Sequence, residues 1–194
     1  MLPSHPEPVL ETERLTLRRL ATDDDAFIHE LLNDPAWLRF IGDKGVRTLA
    51  DARDYIVRGP LAMYARAGFG LYRVERKSDG ESIGMCGLIK RDSLPDVDIG
   101  FAFLPAYRSQ GYAYEAAAAT ITYGRERLGI GRIVAIVSPD NQPSARLLEK
   151  LGMRLQHSLR LADDADEVCL YAHDHPMRRA TDARGAARIS AEGK

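Results

Sequence analysis

Cysteine is scarce in this chain: among 194 residues only Cys86 and Cys169 carry a thiol. One pair cannot build a disulfide framework. Both cysteines lie in apolar, strand-like contexts and read as reduced core residues rather than nucleophiles. A charge excess is also missing. The 27 Lys and Arg are balanced by 28 Asp and Glu, a net charge of −1, whereas a general nucleic-acid binder shows a basic surplus. No run reaches the ~18 apolar residues of a membrane span. The opening MLPSHPEPVLETER has no apolar signal core. No internal repeat is present. His173-Asp-His175 has no apparent third or fourth metal ligand. These absences lead to the expectation of a cytoplasmic protein that works without nucleic acid, membrane or metal.

What is present suits one domain, since apolar residues make up 45% of the chain, enough for a sizeable core. Residues 1–12, polar and rich in proline, are expected to be an arm. The domain is expected over 13–173. A tail follows at 174–194, containing Arg178, Arg179, Arg184 and Arg188. RLTLRRL alternates as a strand. In the ATDDDAFIHELLND that follows, Thr22 is read as an N-cap, with Asp23, Asp24 and Asp25 as first-turn carboxylates. Residues 33–47 read as a loop-rich segment carrying Trp37 and Phe40. A helix over about 48–66 is expected to break at Pro60. GFGLYRVER, ESIGMCGLIK and DVDIGFAF read as strands, and RIVAIVS as a strand buried on both faces. Helices are expected over about 111–128 and in QPSARLLEKLG, and a closing hairpin around ADDAD. The result is a mixed α/β layout in which the strands at 97–104 and 132–138 flank one helix as a right-handed crossover with parallel strands.

One stretch needs a ligand to explain it. In LPAYRSQGYAYEAAAATITYG, a strand ends, the chain turns through Arg108, Ser109, Gln110 and Gly111, and a helix opens with Tyr112 and Ala113. Amides at a helix start carry partial positive charge and suit a phosphate. Glycine lets the backbone approach closely, and Arg108 adds a full charge. A P-loop needs Lys-Ser or Lys-Thr after the glycine, and a dinucleotide loop needs three glycines; neither pattern is here.

The Arg-x-x-Gly-x-Ala at 108–113 resembles the acetyl-CoA pyrophosphate loop of the GNAT N-acetyltransferase superfamily. TERLTLRRL with its acidic helix start, VDIGFAFLPAYRSQGYAYEA, and SPDNQPSARLLEKLGM are similar, in order, to segments of the ribosomal-protein N-terminal acetyltransferase subfamily. The resemblance implies a central, mostly antiparallel sheet of about seven strands with helices on both faces and a splayed parallel pair. It implies transfer of acetyl from acetyl-CoA directly to a primary amine, either a protein N-terminus or a small molecule such as an aminoglycoside. It leaves a homodimer open.

The resemblance also assigns residues. Backbone groups of Phe103 and Leu104 are expected at the oxyanion and pantetheine arm, Asn141 on that arm, and Ser144 near the thiolate. Asp98 shares a strand face with Gly100 and Ala102, which leaves room for a ligand beside a carboxylate. It occupies the place where relatives often carry a Glu that acts as base in some; the shorter Asp implies a bridging water. The helical Tyr that many relatives use as acid is replaced here by Leu147 or Leu148, leaving Ser144, Tyr112, Tyr114 or water. Trp37 and Phe40 are the expected acceptor contacts; Asp163, Asp164, Asp166 and Glu167 cluster at the last hairpin and read as a solvated turn ahead of an acidic rim for a cationic amine. The rival readings are a non-catalytic acyl-CoA-binding sensor or scaffold, and a nucleotide-binding protein.

Overall fold

In a computed structural model the chain is described over residues 7–162 and 165–173. Period-two alternation sets the sheet. In β2 (Leu15–Arg19), Leu15 and Leu17 are fully buried. It continues through β3 (Leu71–Arg76), β4 (Ser82–Ile89), β5 (Val97–Phe103), β6 (Ile133–Val137), β7 (Arg154–Arg160) and β8 (Glu167–Ala172). An eighth strand, β1 (Pro8–Glu11), comes from the segment expected as an arm and pairs with β2. Among the described residues the order is β1-β2-β3-β4-β5-β6-β8-β7, and only β5 and β6 run parallel.

Two layers of helix cover the sheet. On one face lie α5 (Tyr112–Glu126) and α6 (Gln142–Lys150), sharing a cluster with Leu88, Ile99, Ala135 and Val137. Ala116 and Ala117 of α5 are fully buried, so the alanine run serves close packing on β4 and β5. On the other face, α1 (Asp25–Leu32), α2 (Pro35–Phe40) and α3 (Leu49–Ile56) pack through Leu31, Trp37 and Ile56 around Met85.

Three sequence expectations change. Residues 33–47 contain a helix, α2, because the Asp34 side chain accepts from the amides of Ala36 (3.1 Å) and Trp37 (3.3 Å) and Pro35 begins the first turn. Pro60 does not break its helix. A π-helical turn, Val57–Leu61, absorbs the missing donor and the helix resumes as α4 (Ala62–Ala67). Thr22 is not a cap: it lies inside a 3₁₀ turn, and Asp24 is a buried ion-pair partner rather than a dipole charge. The Arg18 guanidinium holds Asp24 through two bonds of 2.8 Å and Glu75 through one of 2.9 Å, while Arg73 joins both carboxylates. The tail at 174–194, His175, Asp163 and Asp164 lie outside the described residues.

Candidate active site

The parallel pair is short. β5 and β6 meet only at Val97–Ile133 and Asp98–Val134, and beyond Asp98 they part. Each keeps its outer neighbour, β4 or β8, through the rest of its length. The gap between them is a cleft of about 1010 Å³ that reaches both sheet faces, from Leu31 and Trp37 on one to Ser144 and Leu148 on the other. Backbone direction alternates along a strand. The Leu104 amide donates to Ile83 O at 2.9 Å, toward β4. The amides of Phe103 and Phe101 therefore point the opposite way, into the gap. This corrects the expectation for Leu104, which is buried against Met85 and does not line the cleft. Phe103 does line it, with its carbonyl accepting from Arg108 Nε at 2.8 Å.

At the open end of the gap stands the start of α5. The first bond of the helix is Glu115 N–H to Gly111 O (3.0 Å), so the amides just before Glu115 have no intrahelical partner. Ser109 and Gly111 take positive φ, 60° and 83°. Such a turn aims successive amides at one concave point, which attracts an anion. Ser109, Gly111 and Ala113 line the cleft.

The other loop residues are placed differently from expectation. The Arg108 guanidinium is bound to Asp34 as well as to Phe103 O, so it fastens the α2 cap to the loop instead of offering an unpaired charge. Gln110 folds back onto Ala106 O at 2.7 Å. Tyr112 is buried beneath the Arg14 guanidinium, 4.5 Å from its ring centre. Neither Gln110 nor Tyr112 lines the cleft, which removes the Tyr112 phenol as a proton donor there.

A different cation serves the loop. Arg14 donates to Gln110 O at 3.2 Å, pairs with Glu115 at 2.6 Å, and lies 3.3 Å from where a side chain on Gly111 would begin. Glu115 is held further by the Thr12 hydroxyl (2.5 Å) and the Arg14 amide (2.9 Å). Nothing in the local pattern of TERLTLRRL marks Arg14, because the contact joins residues about a hundred apart.

At the vertex of the gap sits Asp98. It is 1% exposed, and Arg91 Nε donates to both carboxylate oxygens at 3.1 Å. Burial pushes its pKa up, against the opposing charge and hydrogen bond of Arg91. A solvated strand-end Asp is thereby excluded. Arg91 was not legible in sequence, since it lies in the β4–β5 connection. The cleft is also lined by Lys44, Tyr55, Phe40, Ile41 and Met63. Lys44 is exposed at its own surface, yet desolvation against the cleft wall lowers its pKa, helped by the charge of Arg91; burial raises that of Tyr55 to about 12.

Asn141 and Ser144 both line the gap. Asn141 caps α6 by accepting from the Ser144 amide at 3.3 Å, leaving its side-chain NH₂ available. Leu147 lines the same wall, and Tyr114 faces it with Lys150 Nζ 4.6 Å from its ring centre. Trp37 is 5% exposed and belongs to the core, while its ring and that of Phe40 border the cleft. Among the described residues no group of three His, Cys, Asp or Glu could hold a metal ion, and no helix is long and apolar enough to cross a membrane.

Residues 14–154 match the family model of the acetyltransferase (GNAT) domain. The chain is 29% identical over 154 residues to the uncharacterised N-acetyltransferase YoaA of Bacillus subtilis, covering 79% of this chain and 86% of that one. An acetyltransferase structure from Agrobacterium tumefaciens superposes with a TM-score of 0.72 at 29% identity, over 87% of this chain and 95% of that chain. The structure of RimL, a ribosomal L7/L12 alpha-N-protein acetyltransferase in complex with coenzyme A, gives 0.74 at 20% identity, over 86% and 97%.

Proposed function

The chain belongs to the GNAT acetyltransferase family, and from that premise we propose that it moves an acetyl group from acetyl-CoA directly to a primary amine. One observation carries this reading: a buried carboxylate of raised pKa, Asp98, stands at the vertex of a gap whose open end is a cradle of helix-start amides. The distribution of groups fits coenzyme A, with anion-binding amides at 109–113, unpaired strand amides along β5, and the Asn141 amide on the facing wall. A bound thioester supplies the acetyl group and a thiolate leaving group.

This chain's residues supply the rest. Asp98 accepts a proton from the acceptor ammonium, through a water given its short side chain. The amine nitrogen then attacks the acetyl carbonyl, with the gap-facing amides of Phe101 and Phe103 donating to the oxyanion. The N–C bond forms, the C–S bond breaks and the electron pair leaves on sulfur. A thiol pKa of about 8.5 makes proton delivery to sulfur helpful rather than obligatory; the Ser144 hydroxyl and the Tyr114 phenol are the protein donors on that wall.

The test is release of free CoA thiol with a panel of amines, together with thermal denaturation. Turnover and stabilisation by acetyl-CoA are expected. Binding without turnover on any amine would instead favour a sensor or scaffold. Stabilisation by ATP and none by acetyl-CoA would favour a nucleotide-binding protein.

A further inference from the structure

The charges of the cleft do not suit a polycation. Among the described residues lining it, the carboxylates are Asp34 and Asp98, and each is already paired, with Arg108 and with Arg91. The cations are Arg108, Arg91, Lys44 and Lys150. Two carboxylates against four cations leave an excess of two positive charges. Lys150 is on the α6 wall beside Tyr114. Arg91 stands at the vertex on Asp98, away from the helix-start cradle, and Lys44 lines the same cleft near enough to feel the Arg91 charge.

Arg91 uses only Nε on Asp98. Its two Nη groups make no hydrogen bond to a described residue, and Lys44 has no carboxylate partner among them. An Arg fork matches a carboxylate in two parallel bonds. The carboxylate of Asp98 and the guanidinium of Arg91 thus form an adjacent minus–plus pair within 3.1 Å. A molecule carrying an ammonium and a carboxylate on one carbon presents the complementary plus–minus pair at a similar spacing. The surrounding Phe40, Ile41, Tyr55 and Met63 suit an apolar substituent.

We propose that the acceptor is a free, apolar α-amino acid or close analogue, its amine directed to Asp98 and its carboxylate to Arg91 and Lys44. This rests on the acetyltransferase reading above and names its substrate class. A peptide N-terminus has an amide where this carboxylate would be, and spermidine has further cations.

The test compares kcat/KM for leucine, methionine and phenylalanine with their amides, with isopentylamine and with spermidine. The amide is the less basic amine, so at neutral pH its larger free-base fraction favours it on chemistry alone. The expected result is a preference of tenfold or more for each acid over its amide. Lys44→Gln and Arg91→Gln should bring that ratio to about two or less; the ratio cancels any general loss of activity. Lys44→Gln lies on an exposed residue and keeps the test sound should Arg91→Gln fold poorly. Amides, peptides or spermidine used as well as the acids, or a ratio unmoved by both variants, overturns this inference and leaves the acetyltransferase reading standing. No acetyl-CoA binding by calorimetry, or no turnover of any amine, overturns both.

Discussion

At the scale of the residue, Asp98 is where burial and chemistry meet. Its carboxyl is pushed above the ordinary Asp value of about 3.9 by desolvation, with Arg91 opposing. A base works only above its pKa, so the acidic limb of the kcat/KM profile should lie higher than an exposed Asp would give. Asp98→Asn should lower kcat/KM by about 10²–10⁴ at neutral pH and abolish that limb. A profile with the limb unmoved in the variant would take Asp98 out of the mechanism. Alternation alone placed Asp98 with Gly100 and Ala102, because the period of a strand is local. Arg91 was hidden, because its approach depends on how residues 90–96 turn.

At the scale of the element, the start of α5 does the anchoring. Gly111 holds φ at 83°, a conformation that costs another residue roughly 1–2 kcal/mol. Gly111→Asp adds that strain, a side chain pressed toward Arg14 at 3.3 Å, and a negative charge where a phosphate is expected. Affinity for acetyl-CoA in calorimetry should fall by tenfold or more, with Gly111→Ala intermediate. Equal affinity for all three proteins would move the anion site elsewhere. The glycine and the helix were plain in the sequence, since both are local demands of the backbone. The role of Arg108 depends on tertiary structure: its charge is engaged by Asp34, the cap of α2.

At the scale of the whole molecule, the buried Arg18–Asp24–Arg73–Glu75 group fastens β2 and β3 to the turn that opens α1. Arg18 and Asp24 are 2% and 3% exposed. Burial raises the Asp24 pKa, but the Arg18 and Ala21 hydrogen bonds and the Arg73 charge outweigh it and hold the carboxyl below its usual value. A carboxyl lowered on folding stabilises above its unfolded pKa and loses that contribution as pH falls through the folded one. Asp24→Asn leaves buried guanidinium charge uncompensated and should cost about 3–5 kcal/mol near pH 7 by urea denaturation. The gap from the parent protein should narrow below about pH 4. A gap constant down to pH 3 would show that the cost is packing rather than charge.

The sequence by itself determined the strands, the helix after the loop, the glycine turn and the face that carries Asp98. Each follows from periodicity or backbone sterics within a few residues. The tertiary structure alone decided that β5 and β6 separate just past Asp98, that Arg91 meets it there, and that Arg14 rather than Arg108 attends the loop. Those facts join residues distant in sequence, and their energies come from burial and from charges brought together, which no local pattern encodes.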